Sequence, residues 1–350
     1  MRFWKYIKVA TLSIAAHVAV ASAATGQTET VVEQALTNYS NGALATSVRM
    51  NDKVDLEFIV DTGATLSGIW NSAIQQNSLT YNHVTNANIG AADGMVVLRI
   101  LKFQSLNVSA LSLKPAILTE FPDYYAYYRR PLSGILGADF LQDYLVVFDF
   151  PRQKIVFYPK NTNLTRKMPG YFDAVPLSYS RQFNALMMKV QVDGKTVNAL
   201  LDTGAAMTTM LETKAKALGI STEGAPRTFM AGINGNEIPA YVVDIASVKA
   251  GTREWANTKV VVSEFKVEKS DGFSMLFGAN HLGETPFAID YGRRRLLLAK
   301  PSAVAIAKAE ISGANAQNAP GSKAAMPAQQ GFACAFPAAA LEGLTCVRDE

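Results

Sequence analysis

The sequence predicts a mainly β protein built as two duplicated lobes. Three observations predict it. The chain repeats itself in one register, in which Asp61 falls on Asp202. Most segments inside each repeat alternate or cluster apolar residues over strand lengths rather than helix lengths. A tight-turn dipeptide, Asp93-Gly94 or Asn234-Gly235, falls at the same place in each half, as expected of a hairpin.

The repeat is read from four markers in that register. Leu56-Glu57-Phe58-Ile59-Val60-Asp61-Thr62-Gly63-Ala64 aligns with Val197-Asn198-Ala199-Leu200-Leu201-Asp202-Thr203-Gly204-Ala205. Asp93-Gly94 aligns with Asn234-Gly235, and Ile135-Leu136-Gly137-Ala138 with Leu276-Phe277-Gly278-Ala279. Phe148-Asp149-Phe150 aligns with Ile289-Asp290-Tyr291. The separation from Asp61 to Gly137 equals that from Asp202 to Gly278, and the separation from Gly137 to Asp149 equals that from Gly278 to Asp290. Scattered similarity does not hold one register over such a span, so a whole domain has been duplicated.

Within each repeat, Val54, Leu56, Phe58 and Val60 alternate as in a half-buried strand. Leu145–Phe148 and Ile155–Phe157 flank a turn at Pro151-Arg152-Gln153. Phe287–Ile289 and Leu296–Leu298 flank one at Gly292-Arg293-Arg294. Asp149 and Asp290 are expected to stabilise these turns. Short helices are expected at 139–144, 280–283 and 211–218. Tight turns are expected at 93–94 and 234–235, with both central residues at positive φ.

Outside the repeats the chain changes character. Arg2, Lys5 and Lys8, an apolar run from Val9 to Ala19 and the small residues Ala21-Ser22-Ala23 have the layout of a secretory signal peptide over 1–23. The apolar run is shorter than the roughly 20 residues a membrane span needs. Export to a periplasm or secretion is therefore expected, with no stable span after cleavage. The lobes are expected over 24–160 and 173–300, joined by a polar connection at 161–172. An Ala/Ser/Asn/Gly/Pro-rich flexible linker follows over 301–330. The tail, 331–350, holds the only two cysteines, Cys334 and Cys346, which in an exported protein are expected to close a disulfide.

Composition narrows the chemistry. With 49% apolar and 18% charged residues the chain buries a core. Without its leader it has 30 basic and 29 acidic side chains, since the leader carries three of the 33 basic ones. That balance gives no reason to expect nucleic acid as a partner. Beyond the leader only His83 and His281 remain, in settings that suggest neither a histidine base nor a metal site. Both read as ordinary loop or helix residues. The chemistry therefore rests on carboxylates, with no cofactor and no metal.

A single Asp-Thr-Gly is weak evidence. Here there are two, each after an apolar strand, each followed by Ala and each at the same distance before an apolar-Gly pair. Together they resemble the aspartic peptidases, the superfamily of the pepsins and the retroviral proteases. The resemblance spans roughly residues 43–300. The alanines and the hairpins are similar to the retroviral type, while the fused lobes are similar to pepsin. It implies that Asp61 and Asp202 are a catalytic pair about 3 Å apart that share one proton, activate water and protonate the substrate. It implies that Gly63 and Gly204 let the loops turn sharply beside the carboxyls. Thr62 and Thr203 then bond across the lobes, flanked by Ala64 and Ala205. Leu136-Gly137 and Phe277-Gly278 pack beneath the loops. The hairpins at Asp93-Gly94 and Asn234-Gly235 become flaps over a peptide or protein substrate. Pepsin-type flaps carry a tyrosine near the tip, whereas Met95 and Asn236 follow the turns here. The loop 124–130 (Tyr-Tyr-Ala-Tyr-Tyr-Arg-Arg) has no counterpart in the second half. It either lines one end of the cleft or is an exposed lobe-specific loop. An endopeptidase is the expected function. An inactive peptide-binding module and lobes that pair with a second chain are the alternatives, the short connection favouring a competent monomer.

Overall fold

The computed structural model describes residues 31–39, 42–123, 132–150, 152–180, 184–233, 236–266 and 272–300. The leader, the linker, the cysteine-bearing tail, the loop 124–130 and the turn residues Asn234-Gly235 lie outside them. Among the described residues no helix is long and apolar enough to cross a membrane.

Strands dominate, in three sheets. In each lobe the aspartate-bearing strand, Val54–Val60 or Lys195–Leu201, ends directly before its aspartate. Its buried side chains alternate at the start and become continuous at the end, where both faces are covered. Each of these strands pairs antiparallel with the strand before it, Leu44–Met50 or Leu186–Val192. On the other side it pairs in parallel with the strand ending in the apolar-Gly segment, Leu132–Leu136 or Met275–Phe277. A parallel neighbour needs a long crossover, which explains why the two segments that meet stand so far apart in the chain.

The third sheet belongs to both lobes. Its order is Val32–Ala35, Lys154–Pro159, Tyr144–Asp149, Phe287–Asp290, Arg295–Ala299, Phe172–Pro176, so each lobe supplies three strands. The central pair places Val147 opposite Ala288, its own equivalent in the repeat, so a pseudo-twofold axis passes between them. Phe148 stacks on Phe287 across the joint, with centroids 4.7 Å apart and planes 9° from parallel. Asp149 and Asp290 do hold the following turns. Asp149 accepts from the Arg152 amide at 3.2 Å, and Asp290, fully buried, accepts from the Arg293 amide at 2.8 Å and from Arg295 at 2.9 Å.

Local details differ from expectation. The helix after Gly137 is Ala138–Leu141 rather than 139–144, because Tyr144 already begins the strand Tyr144–Asp149 of the shared sheet. Its counterpart is Ala279–Leu282, and the third is Glu212–Leu218, which ends on Gly219 in the left-handed conformation. The segment between the lobes contains a short helix, Leu164–Lys167, capped by the Asn163 side chain.

Candidate active site

Asp61 and Asp202 are brought face to face at the joint. Asp61 Oδ1 accepts from the Gly63 and Ala64 amides at 2.8 and 3.0 Å. Asp202 Oδ1 accepts from the Gly204 and Ala205 amides, both at 3.0 Å. The carboxyls lie close enough for the charge of Asp61 to act on Asp202, and two carboxyls so placed favour sharing one proton. Glycine is required beside them. A Cβ on Gly63 would lie 2.7 Å from Asp202 Cγ, and one on Gly204 2.5 Å from Asp61 Cγ. Each glycine therefore makes room for the carboxyl of the opposite lobe.

The threonines lock this arrangement reciprocally. Thr203 Oγ1 donates to Val60 O at 2.7 Å and accepts from the Thr62 amide at 3.1 Å. Thr62 Oγ1 donates to Leu201 O at 2.9 Å and accepts from the Thr203 amide at 3.1 Å. Both threonines are buried, so each hydroxyl is satisfied only by the other lobe, and separating the lobes would break four hydrogen bonds.

The apolar-Gly segments are bonded to the loops through their backbones. Leu136 O accepts from the Asp61 amide at 3.0 Å, and the Ala138 amide donates to Ala64 O at 2.8 Å. Phe277 O accepts from the Asp202 amide at 3.1 Å, and the Ala279 amide donates to Ala205 O at 2.8 Å.

Burial raises the Asp61 carboxyl above its ordinary range, against the lowering effect of the Ala64 and Gly63 amides. Burial, reinforced by the charge of Asp61, raises Asp202 well above it. Protein surrounds the pair, yet both residues keep some solvent contact. Such a pair can hold one proton and one negative charge between its two carboxyls.

The first hairpin, Asn82–Ala91 with Gly94–Phe103, reaches across the cleft. Its two turn residues are Ala92 and Asp93, because Ala91 pairs with Gly94. Asp93-Gly94 are thus not the two central residues, and only Gly94 has positive φ, 121°. At the tip, Ala92 O accepts from the Lys266 amide of the second lobe at 2.7 Å, and Ala92 packs against the buried cluster of Ala185, Leu200, Phe265 and Phe273. Asp93 is buried against Gly232, where a Cβ would sit 2.1 Å from the Asp93 Cγ. Met95 points to solvent, 55% exposed. The second hairpin is formed by Arg227–Ala231 and Glu237–Ala250; Asn234 and Gly235 lie outside the described residues.

Sequence reading missed the polar groups behind the loops. Ser67 donates through its amide and hydroxyl to Asp139 Oδ1, at 2.9 and 2.6 Å, and accepts from the Gly137 amide at 2.9 Å. In the second lobe Thr208 stands for Ser67 and Asn280 for Asp139, in the register of the repeat, and that register was the signal available. Burial raises the Asp139 carboxyl, against the lowering effect of its Ser67 bonds. His281, expected as an ordinary loop or helix residue, is on the helix Ala279–Leu282 and is buried in this network. His83 is exposed and bonds Asn86.

Two family models match, one per lobe. Residues 46–140 match the aspartyl protease family and residues 188–284 the gag-polyprotein aspartyl protease family. No curated protein matches the chain.

Proposed function

Since the chain belongs to the retropepsin-like aspartyl proteases, with one such domain in each half, we propose that it is an active endopeptidase whose single site uses Asp61 and Asp202 together. The observation that carries the reading is the pair of carboxyls, each held by two amides of its own loop and each set against the glycine of the other loop. The inner oxygens are committed to those amides, so the outer ones are left for water and substrate. The ionised member takes a proton from water as it attacks the scissile carbonyl, and the protonated member donates to the carbonyl oxygen. The proton gained then passes to the leaving amine as the C–N bond breaks, while the other carboxylate takes back a proton from a hydroxyl of the collapsing diol, which restores the one-proton pair. The pair titrates as a unit, so neither aspartate alone is the acid or the base.

The substrate in this reading is an extended peptide lying between the loops and the first hairpin, acted on outside the cytoplasm. The strands that lead into and support the loops bury apolar residues, Ile59 and Ile135 in the first lobe and Leu200 in the second. Large apolar side chains are therefore preferred on both sides of the cut bond. The test is incubation of the purified protein with a mixed peptide library at about pH 5, with new ends mapped by mass spectrometry. Cuts between apolar residues are expected. A profile dominated by charged residues at both positions would contradict the specificity, and no cuts at any pH would contradict the activity.

A further inference from the structure

We propose that His281 is a positioning residue for the Asp202 loop: its bare Nδ1 accepts the Thr208 hydroxyl proton, and so fixes the segment on which Asp202 hangs.

The argument begins in the first lobe. The Ser67 hydroxyl accepts from the Gly137 amide at 2.9 Å and donates to Asp139 Oδ1 at 2.6 Å. The same carboxylate oxygen takes the Ser67 amide at 2.9 Å. One carboxylate thus does two tasks, accepting from an amide and from a hydroxyl. In the second lobe Asn280 replaces Asp139, and its Oδ1 takes only the Thr208 amide, at 2.7 Å. The Thr208 hydroxyl accepts from the Gly278 amide at 3.0 Å, as Ser67 does from Gly137. Its own proton needs another acceptor, and His281 Nδ1 lies 2.7 Å away. In the repeat, position 281 corresponds to Phe140, so the second lobe has divided the work of Asp139 between Asn280 and His281.

The ring is held for this role. His281 is 2% exposed, stacks on Phe277 at 5.4 Å and meets the edge of Trp255 at 5.2 Å. Nε2 lies 3.0 Å from Thr258 Oγ1, so the neutral Nε2–H form satisfies both ring nitrogens at once. With Nδ1–H instead, the buried Thr208 hydroxyl would face two donors and keep an unplaced proton. The groups that face the ring are Thr208, Thr258, Trp255 and Phe277, all uncharged. Burial accordingly holds its pKa down to about 4, so it stays neutral at mildly acidic pH. From Thr208 the path to the reacting carboxyl is short. Gly278 follows Phe277, whose carbonyl accepts from the Asp202 amide at 3.1 Å.

The inference rests on the endopeptidase reading, and two measurements separate their failures. The first exchanges the lobes' solutions. His281→Phe removes the acceptor, and kcat is expected to fall on the order of tenfold with KM little changed, the effect of losing one buried hydrogen bond at a positioning site. Adding Asn280→Asp recreates the Asp139-Phe140 arrangement and is expected to restore most of kcat. A single variant as fast as the parent, or a folded double variant no faster than the single, would overturn the proposal. The second measurement needs no catalysis. Nitrogen NMR of the imidazoles, with His17 and His83 as the other signals, is expected to show His281 at pH 6 with bare Nδ1 and protonated Nε2. An Nδ1–H tautomer, or a cationic ring, would overturn it. A wild-type chain that cleaves nothing would refute the function and leave the tautomer to decide this inference.

Discussion

Asp61 and Asp202 each face an alanine three residues on rather than a hydroxyl. Ala64 and Ala205 contribute their amides to the inner oxygens, at 3.0 Å in both loops, and have no side-chain donor to stabilise the charged form further. Thr208 does not substitute, because its hydroxyl is spent on Gly278 and His281. With both carboxyls raised by burial, the rate profile is expected to be bell-shaped and centred on the order of pH 4.5 to 6.5. The sign follows from the proton count. A hydroxyl donated to the ionised form lowers the pKa, so replacing both alanines by serine moves the optimum toward acid. Rates measured across pH in the folded double variant check this, and an unmoved optimum would refute the explanation. The aspartates, threonines and glycines were legible in the sequence because one loop stands twice in one register. His281 was not, because the repeat puts a phenylalanine in its place and its partners Thr208 and Thr258 carry no sequence signal.

Among the elements, the first hairpin makes the contact that sequence pattern could not supply. Alternation and the Asp-Gly pair located it, but its turn is Ala92-Asp93, and its tip rests on the second lobe through Ala92, Asp93 and the Lys266 amide. Partners between segments so far apart are invisible to local pattern. Gly232 is where the contact is tightest, since any Cβ there meets the Asp93 side chain. Gly232→Ala is expected to push the tip away from its seat and lower kcat/KM for peptide cleavage several-fold, an effect of about 1 kcal/mol. The melting temperature should change little, because the tip lies outside the main core. Steady-state kinetics beside a thermal melt decides it. Unchanged kinetics would show that the seated tip does not bear on substrate.

At the scale of the whole molecule, the shared sheet and the reciprocal threonines make the two lobes one cooperative unit. The strands of that sheet were legible as hairpins at 145–157 and 287–298, but their union was not, because it depends on Tyr144–Asp149 pairing with Phe287–Asp290, segments far apart in the chain. Phe148 and Phe287 stack at its centre and are fully buried. Phe148→Ala is expected to cost about 3–5 kcal/mol and to lower a single urea transition, with Trp70 in the first lobe and Trp255 in the second reporting the same midpoint. Two separated midpoints would show lobes that fold independently. The central claim is that both lobes contribute to one active site. Its most direct test is the turnover of Asp61→Asn and of Asp202→Asn, each purified free of parent enzyme and shown by circular dichroism to be folded. The account predicts that each variant alone loses cleavage by several orders of magnitude. Near-normal turnover by either one would contradict it.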